Sequence, residues 1–129
     1  MIELAAERGR VRVRLRAHLL GADLWVALTG GDREHIGAVA VSQPRGAKRG
    51  RAGGSTTSLI ALLGHREDEL ARSMAARLAS RLGVAACVTC GVHVDDIRPE
   101  EIRAVQDMAE ELTGALLARL QGHDEPSPR

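Results

Sequence analysis

Polar and apolar positions alternate along residues 10–18. Val11, Val13, Leu15 and Ala17 fall on one side, Arg10, Arg12, Arg14, Arg16 and His18 on the other. A period of two predicts a half-buried strand. Gly21-Ala22-Asp23 supplies turn chemistry before a second strand over 24–29, so these two form a hairpin. Gly30-Gly31-Asp32 breaks the pattern, and 36–42 resumes it as a third strand. Gly37 marks a place in that strand where backbone or ligand can approach closely. The short apolar run 57–63 reads as a buried fourth strand that Gly64 ends.

The period then changes. Leu70, Met74, Leu78 and Leu82 recur every four residues, with Ala71, Ala75 and Ala79 on the same side, which predicts a helix over 65–82. Glu67, Asp68 and Glu69 in its first turn and Arg81 in its last complement the helix dipole, and Gly83 is a natural stop. Residues 84–90 are apolar on both faces, as in a central strand. Pro99, with Glu100 and Glu101 behind it, opens a second helix. Its stripe is Ile102, Val105, Ala109, Leu112, Leu116 and Leu120, with Gly114 weakening the last turns.

These elements predict an α+β fold, an antiparallel β-meander followed by one right-handed βαβ unit. The sheet is five-stranded and mixed, with two helices packed on one face. One domain spans 1–120, with 43–56 as a mobile, basic, Gly-rich loop and 121–129 as a disordered tail. A sheet covered on one face only predicts a homo-oligomer.

Composition narrows the function. The chain of 129 residues has no Phe or Tyr and a single Trp, so aliphatic side chains must build the core. Stacking of nucleic-acid bases on aromatic platforms is thereby disfavoured. A net charge of +1 gives no strong steering toward nucleic acid or membrane. No apolar run approaches the roughly 20 residues of a membrane helix, and 1–9 lacks the character of a signal peptide. Two cysteines do not make a disulfide framework. A cytoplasmic protein is the expectation.

Candidate chemistry concentrates in glycine-rich turns. Cys87 and Cys90 have redox-motif spacing, but residues three apart on a strand face opposite ways, so both read as small hydrophobes. The arginine strip of 10–16 reads as a solvated outer face that needs an acidic neighbour, from this chain or another subunit. His18 and His123 lie outside any cluster. His35, His65 and His93 differ, since each lies beside glycine at a strand end or helix start with a carboxylate near. All three can meet at one rim of the sheet, and their residue types suit a divalent metal ion. A small metal-dependent hydrolase or lyase, with Glu67 or Asp95 as general base, is therefore one reading. Turns that merely satisfy backbone groups are another.

Three motifs in order carry a resemblance: Gly30-Gly31-x-x-x-His35-Ile36-Gly37-Ala38-Val39, Gly64-His65-x-Glu67-Asp68, and Gly91-Val92-His93-Val94-Asp95. The chain resembles the small D subunit of hydroxyarylic acid (gallate-type) decarboxylase systems, the prenylated-flavin chaperones, over nearly all of its length to about Leu120. The resemblance implies a non-catalytic accessory protein. Such a protein binds prenylated FMN or FMN and assists maturation of a partner UbiD-type decarboxylase. It carries Gly30, Gly31, His35, His65, Glu67, Asp68, His93 and Asp95 over as cofactor-site candidates. His35, His65 and His93 are the metal-site candidates among them.

Overall fold

The computed structural model describes residues 1–46, 53–62 and 67–122. Eight elements follow one another: β1 (Ile2–Arg8), β2 (Val11–Leu20), β3 (Asp23–Gly31), β4 (Arg33–Pro44), β5 (Ser55–Ala61), α1 (Asp68–Leu82), β6 (Ala86–His93) and α2 (Pro99–Leu120). The sheet therefore has six strands, not five. Sequence reading missed β1, in which Ile2, Leu4 and Ala6 turn inward while Glu3, Ala5 and Glu7 stay exposed. With alanine at two of those positions the alternation carries little hydrophobic contrast.

The strand order is β1-β2-β3-β6-β4-β5. A meander holds for β1 to β3, but β6 then inserts parallel to β3 and antiparallel to β4. The expected βαβ unit is thus split, because β4 lies between β5 and β6. That follows from β6 itself, apolar on both sides and hydrogen-bonded on both edges. The run expected as a buried fourth strand, β5, is instead an edge strand, with Ile60 67% exposed. Pairing of Gln43 with Thr56 and Pro44 with Ser55 shortens the expected 43–56 loop from both ends. Its middle, 47–52, and the end of the tail, 123–129, lie outside the described residues.

Both helices cover one face, as the periodicity predicts. Helix α1 lies over β4, β5 and β6, and α2 over β1 and β2. Between helices and sheet sit Leu15, Leu28, Val26, Val88, Leu78 and Leu116, all essentially without solvent contact. Burying an aliphatic side chain of this kind contributes about 1.5–3 kcal/mol, so this layer supplies the main driving force. Gly83 ends α1 in the left-handed conformation, φ 68°, its N–H donating to the Ala79 carbonyl. Helix α2 runs unbroken through Gly114. At its start Glu101 accepts from the Arg98 N–H at 3.0 Å and pairs with Arg10 at 2.7 Å. The Arg10 bond, then the Arg98 bond, hold the Glu101 carboxyl at about 2. Arg10 also donates to the Asp95 carbonyl, so it ties the β1–β2 turn to the segment after β6. Among the described residues no helix is long and apolar enough to cross a membrane.

The opposite face is open. Across it Arg16 stands beside Ala27, Ala27 beside Thr89, Thr89 beside Val39 and Val39 beside Ile60. The acidic neighbour that the arginine strip demands comes from this chain. Glu34 pairs with Arg16 at 3.2 Å and Arg14 at 3.9 Å, and Glu7 reaches Arg12 at 4.0 Å. The Thr29 hydroxyl, which donates to Glu34, is the main cause holding that carboxyl below the ordinary glutamate value; Arg16 and Arg14 add to it.

Candidate functional site

A rim forms where the parallel strands β3 and β6 reach their carboxyl ends, the position at which α/β sheets offer crevices to ligands. Gly30 and Gly31 serve close backbone packing there. A Cβ on Gly31 would stand 2.1 Å from the His93 carbonyl oxygen, and Gly31 has φ 75°, a conformation that glycine adopts without strain. The turn is fixed by the Asp32 N–H, which donates to that same carbonyl at 2.6 Å, and by Asp32 Oδ2, which accepts from the Asp95 N–H at 2.8 Å.

Two histidine–carboxylate pairs occupy this rim. His35 Nε2 lies 3.3 Å from Glu67 Oε1, with both side chains mostly enclosed. Glu67 sits at the N-cap of α1, yet its carboxylate does not cap the helix. Instead Oε1 accepts the Val92 N–H at 3.3 Å, across the gap between helix and sheet. Gly37 makes the space, for a Cβ there would fall 2.4 Å from Glu67 Oε2. The bulge between Glu34 and Ala38 carries His35 across Gly91, whose Cβ would meet the His35 carbonyl at 1.6 Å.

The second pair is more open. His93 Nε2 lies 2.9 Å from Asp95 Oδ1 and 3.2 Å from Arg33 Nη2. One ring nitrogen thus faces an acceptor and a donor: protonated, it donates to Asp95; bare, it accepts from Arg33. The His35 and His93 rings meet edge to face with centroids 6.3 Å apart.

Of the predicted site residues, the structure brings His35, Glu67, His93 and Asp95 together, with Gly30 and Gly31 shaping the turn beneath. Asp68 is the first residue of α1. His65 lies outside the described residues. Among the described residues no group of three His, Cys, Asp or Glu side chains is placed to hold a metal ion. The three-histidine metal site is thus not assembled by the residues described. The cysteines split between the two faces as expected. Cys90 is buried, and burial, helped by the charge of Glu67, pushes its thiol up to about 12; Cys87 is half-buried on the open face.

Beside the rim a cleft of about 700 Å³ runs between α1, α2 and the segment after β6. Leu70, Met74, Val94, Ile97, Val105 and Ala109 give it apolar walls, while Glu67 and His93 stand where it meets the rim. Sequence reading missed this cleft and Arg33. Ile97 and Ile102, both exposed apolar side chains flanking the start of α2, were the available signal.

The fold and rim define a small α+β domain with a ligand-sized cleft beside paired histidines. The chain belongs to the prenylated flavin chaperone LpdD-like domain family, whose model matches residues 7–121. It is similar to Protein LpdD of Lactiplantibacillus plantarum, with 26% identity over 127 residues, covering 95% of this chain and 88% of that protein. Among solved structures it is similar to a chaperone complex for yeast 20S proteasome assembly, at a TM-score of 0.55 and 16% identity over 94% of both chains. At that identity the likeness is one of fold.

Proposed function

We propose that this protein is a non-catalytic carrier of prenylated FMN, or of FMN, that assists maturation of a UbiD-type hydroxyarylic acid decarboxylase. The observation that carries the reading, beside family membership, is the apolar cleft opening at a rim of His35, Glu67, His93 and Asp95. Its volume lies within the roughly 300–1,000 Å³ of ordinary ligand sites. A flavin supplies a flat, largely uncharged ring system and an anionic phosphate tail. The aliphatic walls suit the ring, and the rim offers donors and acceptors to its polar edge. Gly30, Gly31 and Asp68 belong to the same site as its framework. A homo-oligomer formed over the open sheet face is part of this reading, supported by the exposure of Trp25, Val41 and Ile60.

Titration with oxidised FMN and with its prenylated form, with and without zinc, manganese or iron, tests the proposal. Binding should change the flavin absorbance. Failure of both flavins to bind under every condition overturns it. The metal arms also decide whether His65 completes a metal site with His35 and His93.

A further inference from the structure

We infer that the cleft takes the uncharged ring system of the flavin and leaves its phosphate outside, in solvent; this rests on the flavin-carrier reading. The charges lining the cleft carry the inference. Among the described residues three carboxylates line it, Glu67, Glu69 and Glu110, against the guanidinium of Arg77. Arg77 Nη1 also donates to the Glu110 carbonyl at 3.4 Å, which leaves its charge in place, so this lining carries more negative than positive charge. A phosphate monoester carries about −1.5 to −2 at neutral pH. Placing it among those carboxylates sets like charges close together, though Glu69 and Glu110 are exposed and water weakens the repulsion. An uncharged tricyclic ring meets no such penalty and gains the apolar walls. At the rim, where exposed Arg33 and Asp95 both meet the His93 ring, charge is mixed and a phosphate there keeps its water.

This orientation gives the carrier a consequence for transfer. With the ring covered and the phosphate in solvent, a receiving protein can grip the anionic end before the ring leaves. The carrier then needs no rearrangement to release it.

Parallel titrations with FMN, riboflavin and lumiflavin, followed by flavin absorbance and fluorescence anisotropy, test the inference. All three should bind within about threefold of one another, and Arg77→Gln should leave that ratio unchanged. Ser73 is an exposed residue on the cleft wall, so Ser73→Phe should fill the cleft at little cost to stability. That substitution should weaken all three ligands by about tenfold or more. Two results overturn the inference while leaving a flavin carrier intact. One is an FMN preference of about tenfold or more that Arg77→Gln removes; the other is undiminished binding to Ser73→Phe. If no flavin binds at all, the carrier reading falls with it.

Discussion

The two faces of the sheet are built from the same strands under opposite constraints. Beneath the helices β2, β3, β4 and β6 contribute buried aliphatic or small side chains, and the edge strands β1 and β5 add partly buried ones. The open face changes character across its width. Over β1 and β2 it is a lattice of Arg12, Arg14, Arg16 and Glu7, completed by Glu34 from the start of β4, whereas across β3, β4 and β5 it exposes Trp25, Val41 and Ile60. Equal chain lengths thus yield a face that organises the monomer and a face that offers contacts. The difference teaches that charge on an open sheet face need not advertise a ligand. Here the arginines answer Glu34, which stands at the β4 bulge that also carries His35.

The sharpest break in this comparison is one aliphatic residue removed from each face. Leu78→Ala, in the closed layer, should cost about 2–5 kcal/mol by leaving a cavity. Ile60→Ala should stay within about 0.5 kcal/mol in the monomer. Urea midpoints check both, and similar losses would abolish the distinction between the faces. A homo-oligomer over the open face adds a signature of its own, a concentration-dependent midpoint that Ile60→Ala removes.

A smaller but sharper effect concerns the bulge that laps onto the open face. Gly91→Ala places a methyl against the His35 backbone carbonyl, so β4 must shift and about 1–3 kcal/mol should be lost. Backbone amide shifts at Glu34 to Gly37 should accompany the loss. Unchanged shifts there would mean that the bulge does not depend on this glycine.

The smallest expected effect lies in the charged half. Glu34→Gln should cost about 0.2–1 kcal/mol at neutral pH, since the pair is part-exposed. The Glu34 carboxyl is held below the ordinary 4.5 in the folded chain, so its contribution is fully present above that value. It is lost as pH falls through the lower, folded-state value. The gap in thermal midpoint between wild type and Glu34→Gln should therefore close on acidification. A gap that persists or widens in acid would show that Glu34 acts otherwise than as a charged partner of Arg14, Arg16 and Thr29.

Much of the closed face could be read before the structure. The four-residue spacing of Leu70, Met74, Leu78 and Leu82 and the alternation of Val11, Val13, Leu15 and Ala17 are local signals, and burial follows them. The rim was legible in its residues and not in its wiring. His35, Glu67, His93 and Asp95 were identified from glycine-rich turns, but Glu67 was expected to serve the helix dipole. Its carboxylate instead joins helix to sheet through Val92, because Gly37 leaves room. That outcome depends on residues 25 and 30 positions away and leaves no local trace. The same holds for β6, whose place between β3 and β4 no periodicity within it could announce. The cleft was missed for a related reason, since it is made by the spacing of two helices whose apolar stripes look complete separately.

The late strand has one more consequence, for how the chain acquires its shape. Until residues 86–93 arrive, the sheet exists as two ladders, β1-β2-β3 and β4-β5, with no strand pairing between them. A nascent chain therefore leaves the ribosome carrying two unpaired inner edges, and both are sealed in one event when β6 slides between them. Since that event joins partners 44 to 62 positions apart, Val41 with Cys87 and Gly31 with His93 among them, assembly should be slow for a domain of this size. The chain's own β6 must win the slot before another molecule's strand does, which makes domain swapping through this element its characteristic hazard.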